Sequence, residues 1–238
     1  MDSNIIIENE NLADYIMFKL DKIDNGFTME ELDQITEVVI DFKEEESSVA
    51  VFEELLKLRK LNSIILRNVF IFNDDFKTLL ALSELNDVTF ENCEFEDADL
   101  ISSLNLKSLS LVNDKINSYT FVNLFKSLEE LTIVNGNIEI SKINELQGLK
   151  YLQISYSNIN DDSSINITSL EELYIDNTNI NSFEFLNSLS NLKRLSIDEK
   201  QYNSNKELFS NLENKGILVL NENMTSFGGE EDALWLSI

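Results

Sequence analysis

One short phrase recurs along this chain and leaves it few ways to fold: a leucine, two variable residues, a leucine, one variable residue and a third aliphatic side chain. Its clearest copies are Leu128-Glu-Glu-Leu131-Thr-Ile133, Leu149-Lys-Tyr-Leu152-Gln-Ile154, Leu170-Glu-Glu-Leu173-Tyr-Ile175 and Leu192-Lys-Arg-Leu195-Ser-Ile197, about 22 residues apart. Another large side chain follows five residues later in each: Ile138, Ile159, Ile180 and Tyr202. The register extends back through Leu106-Leu109-Leu111-Ile116, Leu85-Val88-Phe90-Phe95, Leu61-Ile64-Leu66-Ile71 and Ile35-Val38-Ile40. A degenerate last copy, Ile217-Leu218-Val219-Leu220, is counted from Lys215 as its first position and places Val219 in the fifth.

Alternation gives the phrase its physical meaning. Residues two apart on a strand share a face, so the two aliphatic side chains of L-x-L point one way and the residue between them points the other. A single unit cannot bury its apolar side alone, so the units must stack with their strands side by side and parallel. The two longest spacings come first, which leaves room for real helices between the early strands. Later connections, such as Ile140 to Gly148, predict only short helical turns.

The pattern L-x-x-L-x-L-x-x-N/C/T-x-L resembles the leucine-rich-repeat family, and its bacterial internalin-like branch most closely, over about residues 10 to 225. The resemblance implies an α/β fold: a right-handed solenoid with a curved parallel sheet of about nine strands, helices or turns on the convex side, and a helical N-terminal cap. Residues 1–34 are read as the cap. Leu12, Tyr15, Ile16 and Leu20 recur at helical spacing, Asn25-Gly26 marks a turn, and Thr28-Met-Glu-Glu31 forms a capping box. Residues 35–220 are the repeats, and 221–238 are either a C-terminal flap over the last repeat or a tail that docks on a partner. All three segments are taken as one structural domain. The family's ninth position often carries an Asn whose side chain ties the loops into a buried ladder. Here it holds Val69, Cys93, Asp114, Gly136, Ser157, Thr178 and Lys200, with Asn crowding the flanking positions. Cys, Ser and Thr can serve in such a ladder, whereas Val69, Gly136 and Lys200 predict breaks in it.

Composition narrows the function classes. There is no His, which excludes His-dependent triads, His-ligated metal and imidazole acid–base chemistry. Asp21 to Gly26 hints at a calcium loop. Counting Gly26 as the sixth position, however, puts Ile23 third and Leu32 twelfth, where ligands are needed. No catalytic residue, cofactor site or metal site is therefore expected. The formal net charge of −26 disfavours nucleic acid and anionic lipid and suits a basic protein partner. The lone Cys93 rules out an intrachain disulfide and falls at an inward position, as a buried thiol. The absence of a signal-like h-region or a membrane-length apolar run makes cytoplasmic the first expectation. A secreted or surface location follows instead if a leader has been removed.

A partner would meet the residues that point away from the leucine core, on the concave side. Tyr151, Tyr156 and Tyr174 fall on neighbouring repeats and are expected to face outward as exposed anchors, rimmed by Glu130, Glu172, Asp176 and Asp198, with Val134 extending the apolar surface. Three readings compete: a non-catalytic protein-binding module, an immunity or inhibitor protein masking a basic toxin or nuclease, and an internalin-like surface adhesin.

Overall fold

The computed structural model describes residues 4–42, 48–161, 163–221 and 223. Among the described residues nine strands follow one another in chain order, and those that pair within each of the two units below are parallel. The chain divides into two compact units, Met1–Asn117 and Ser118–Ile238.

The first unit opens with an antiparallel bridge between Ile5 and Phe27 that brackets helix α1, Glu10–Lys19. Asn9 caps α1 by accepting a hydrogen bond from the Leu12 amide, and Leu12, Ala13 and Ile16 form its buried stripe. The Thr28–Glu31 capping box starts α2, Met29–Leu32. Four strands follow: β1 Glu37–Asp41, β2 Ser63–Arg67, β3 Asp87–Glu91 and β4 Ser108–Val112. Their registers set Val38 against Ile64, Ile64 against Val88 and Val88 against Leu109, so that inward residues stack on inward residues. Behind them lie α3, Ser48–Leu55, and α4, Asn73–Ala81, in the two longest connections of this unit; the next holds only a 3-10 turn, Ala98–Ser103.

The second unit contributes β5 Glu130–Val134, β6 Tyr151–Ser155, β7 Glu172–Tyr174, β8 Arg194–Ser196 and β9 Leu218–Leu220. Leu131, Leu152, Leu173 and Leu195 are wholly buried and pair in register across β5 to β8. The connection after β5 carries a single helical turn, α5 Ile140–Ile143, whereas the last one holds α6 Glu199–Ser204 and α7 Lys206–Asn214.

The last repeat corrects the sequence reading by one residue. Val219 pairs with Leu195 and Leu220 with Ser196, so Val219 points into the core and Leu218 and Leu220 point outward. A run of four aliphatic residues has no alternation to specify a face, and a one-residue slip turns every side chain over. Gly216, at φ +89°, ends α7 and sets where the strand begins.

The asparagines beside the ninth position have a backbone role. Asn68, Asn92, Asn113, Asn135 and Asn177 all occupy the left-handed region at the eighth position, which Asn tolerates better than most residues. The amides of Asn68, Asn92 and Asn135 donate to the carbonyls of Glu91, Val112 and Ser155 in the next repeat. The ladder inside is also more continuous than expected, because a residue without an accepting side chain still offers its N–H. Val69 is hydrogen-bonded through its backbone to the Cys93 sulfur, the Cys93 amide donates to Asp114 Oδ1 at 2.7 Å, and the Gly136 amide donates to Ser157 Oγ at 3.0 Å. Lys200 is exposed, and buried Gln201 takes its inward place, donating to Ile175 O and Thr178 Oγ1.

Candidate functional site

The outward residues of β5 to β8 form the face on which the tyrosines were expected. On β6, β7 and β8 they are Tyr151, Gln153 and Ser155; Glu172 and Tyr174, followed by Asp176; and Arg194 and Ser196, followed by Asp198. Cross-strand neighbours on one face lie within side-chain reach. The Tyr151 and Tyr174 rings accordingly sit 5.1 Å apart, tilted by 36°.

A chain of donors runs across this face. Tyr151 OH donates to Gln153 Oε1 at 2.9 Å, Gln153 Nε2 donates to Ser155 Oγ at 3.2 Å, and Ser155 Oγ donates to Asp176 Oδ1 at 3.2 Å. Ser196 Oγ reaches the same oxygen from β8 at 3.5 Å. Beside this chain, Tyr174 OH donates to Glu172 Oε2 at 2.8 Å, and Arg194 pairs with Glu172 at 3.1 Å. Burial, then the Glu172 charge, pushes the Tyr151 hydroxyl up to about 12; burial and the bond to Glu172 raise Tyr174 as well. Both phenols stay protonated donors at neutral pH.

One expected anchor and one expected rim residue are not open to solvent. Tyr174 and Asp176 are each only 7 % exposed, against the exposed placement read from alternation. Alternation assigns a face but not an exposure. Tyr151 packs beside the Tyr174 ring, and the small Ser155 and Ser196 leave a hollow into which the Asp176 carboxylate settles. Tyr156 stands apart: it lies one residue past β6 at φ +52°, the single non-Asn residue among the left-handed eighth positions, and is 57 % exposed. Glu130 is exposed and Val134 half-buried. Asp198 caps α6, accepting from the Gln201 amide at 2.9 Å and the Asn177 amide at 3.1 Å, so its carboxylate has structural work. The acidic rim is likewise partly neutralised, by Arg194 on Glu172 and Lys193 on Glu171.

Sequence reasoning missed the Gln153–Ser155–Asp176–Ser196 connection. Its signal was two serines in adjacent outward columns beside an aspartate. It also passed over Asp114 as a titrating group. That carboxyl is buried, its Oδ2 has no partner among the described residues, and burial pushes it up to about 7. Cys93 is free and fully buried, its thiol pushed up to about 12 by burial. Among the described residues no cluster of His, Cys, Asp and Glu could hold a metal, and no helix is long and apolar enough to cross a membrane.

Parallel strands in chain order, leucines in register and a left-handed residue after six of the strands define a leucine-rich-repeat fold. No protein-family model matches the sequence, and no curated protein is significantly similar to it. Solved structures do match. Internalin C2 of Listeria monocytogenes is 22 % identical with a TM-score of 0.63, over 85 % of this chain and 93 % of that one. InlP of the same organism is 14 % identical with a TM-score of 0.57, over 84 % and 61 %. A leucine-rich-repeat protein of Leptospira interrogans is 14 % identical with a TM-score of 0.54, over 81 % and 56 %. The repeat fold is therefore of the internalin-like type.

Proposed function

We propose that this chain is a non-catalytic protein-binding module whose outward sheet face on β5 to β8 receives a partner with a basic surface. The observation that carries this reading is the tyrosine patch: Tyr151 half-buried against Tyr174, and Tyr156 held exposed in a backbone conformation unfavourable to tyrosine. Strain retained at a surface aromatic calls for a use, and tyrosine is a frequent interface anchor. Tyr151, Tyr156, Glu130 and Val134 would make the contacts. Tyr174, Glu172, Asp176 and Asp198 would hold the frame, and the net charge of −26 would draw in a positive surface.

The same charge favours one special case, an inhibitor or immunity protein that masks a basic toxin or nuclease. The free, buried cysteine supports a cytoplasmic site of action. Residues 1–34 would cap one end of the repeats. The expected flap or tail at 221–238 falls almost wholly outside the described residues.

The test is quantitative binding to the partner, once captured, with Tyr151→Ala and Tyr156→Ala combined. The double variant should weaken binding at least about tenfold, roughly 1.4 kcal/mol, and wild-type association should slow as salt rises. Unchanged affinity with a folded double variant would remove this face from the account.

A further inference from the structure

The connections of the second unit leave a hollow where two neighbouring repeats do not close on each other. Past β5 and β6, the short segments Asn137–Ile138 and Asn158–Ile159 pair as parallel strands. The next repeat does not extend that pair through its backbone. Asn179 offers its side chain instead: Oδ1 accepts from the Ile159 amide at 2.7 Å, and Nδ2 donates to the Ile159 carbonyl at 3.0 Å. The interposed carboxamide holds the backbone of residues 179–181 a side chain's length from Ile159. Among the described residues the connection from β6 to β7 also carries no helix, whereas α5 precedes it and a 3-10 turn, Glu184–Ser188, follows it. The resulting hollow measures about 300 Å³.

Its lining is unusual for so acidic a chain. Among the described residues Asp161 is its only charged side chain, and that carboxylate already accepts from the Ile140 and Ser141 amides at 3.0 and 2.9 Å. The other polar groups are carboxamides and hydroxyls, among them the exposed Asn160, Ser164, Asn181 and Ser182. Each can donate and accept at once, as a ligand hydroxyl can. Ile159 and Phe185, both half-buried, add apolar wall, and the buried Phe183 ring backs Phe185 at 6.4 Å. A sugar matches this combination, with hydroxyls around its edge and a C–H face that packs on an aromatic ring. A phosphate ligand would call for Lys or Arg, and among the described residues none lines this hollow. An extended peptide would seek an unpaired strand edge, yet Asn179 already occupies both backbone groups of Ile159. A second hollow of about 770 Å³ adjoins across residues 179–181 and adds Ser204 and Asn205, so a ligand of more than one ring has room. We propose that this groove, between the β6–β7 and β7–β8 connections, binds a short neutral saccharide, with Asn160 and Asn181 as hydrogen-bonding groups and Phe185 as the stacking platform.

The test is a titration of the isotope-labelled full chain, followed by amide resonances, with maltotriose, cellotriose, mannotriose and N-acetylated chitotriose in turn. At least one should move the resonances of residues 159–165 and 179–185 saturably, with a Kd of roughly 1 mM. Asn160→Ala with Asn181→Ala replaces two exposed side chains and should weaken that binding at least about tenfold at an unchanged urea midpoint. Ser182→Trp fills the hollow from an exposed position and should do the same by exclusion. Tyr151→Ala with Tyr156→Ala should leave saccharide binding unchanged, because those residues belong to the outward sheet face. Saturable shifts from none of the four saccharides would overturn the proposal. So would binding that survives both the asparagine variant and Ser182→Trp, or shifts at these residues from an uncharged Gly-Ser-Asn peptide and from no saccharide. Such a failure would leave the partner-binding reading standing.

Discussion

Tyr156 occupies a backbone conformation that five other repeats leave to asparagine. A left-handed non-glycine residue costs roughly 1–2 kcal/mol, less for Asn than for an aromatic. Tyr156→Asn should therefore raise stability by up to about 1 kcal/mol in a urea titration while weakening partner binding, a trade expected of a residue kept for recognition. Asp114 bears on pH. Its ordinary value is 3.8 and its folded value about 7, so the folded state holds the proton more tightly. Its contribution to stability is complete below about pH 4 and is lost as pH rises through about 7. Asp114→Asn keeps the acceptor for the Cys93 amide and removes the charge. The variant should be more stable than wild type at about pH 8, and the gap should close toward about pH 4. Urea midpoints at the two pH values decide this. Gly136 is constrained by space: a Cβ there would sit 2.6 Å from Ile133 Cγ2 and 3.2 Å from the Tyr119 ring. Gly136→Ala should cost about 1–3 kcal/mol by overpacking.

At the scale of the element, each strand is stabilised by inward leucines stacked in register. Leu152 is wholly buried between Leu131 and Leu173, and Leu152→Ala should lower stability by about 2–5 kcal/mol, read as a shifted denaturation midpoint. These strands were legible because leucine spacing encodes both their existence and their face. Three things were not. Leu218 to Leu220 lacked alternation, so only the end of α7 fixes which of them points inward. The ladder looked broken at Val69 and Gly136 because side chains were counted and backbone donors were not. Tyr174 and Asp176 looked exposed because period two assigns a direction from the sheet, while exposure depends on what neighbouring strands place alongside. The asparagines were visible at the eighth position, but their common left-handed backbone explains them only once φ is known.

At the scale of the whole molecule, repetition uses the aliphatic side chains for stability and leaves the outward columns free to vary. That freedom is why the fold can be read from sequence when the partner cannot. Within the second unit the outward residues are more than solvated strand surface: hydroxyls of Ser155 and Ser196 reach Asp176, two rings pack together, and a strained tyrosine stands exposed one residue past β6. The central claim is that recognition happens there. A photo-reactive phenylalanine analogue placed singly at Glu130 or Tyr156, and at Glu184 or Asn211 in the connections, can be illuminated in the cells that make the protein. Adducts to one protein from positions 130 and 156, with none from 184 and 211, are the predicted result. The reverse pattern would contradict the account.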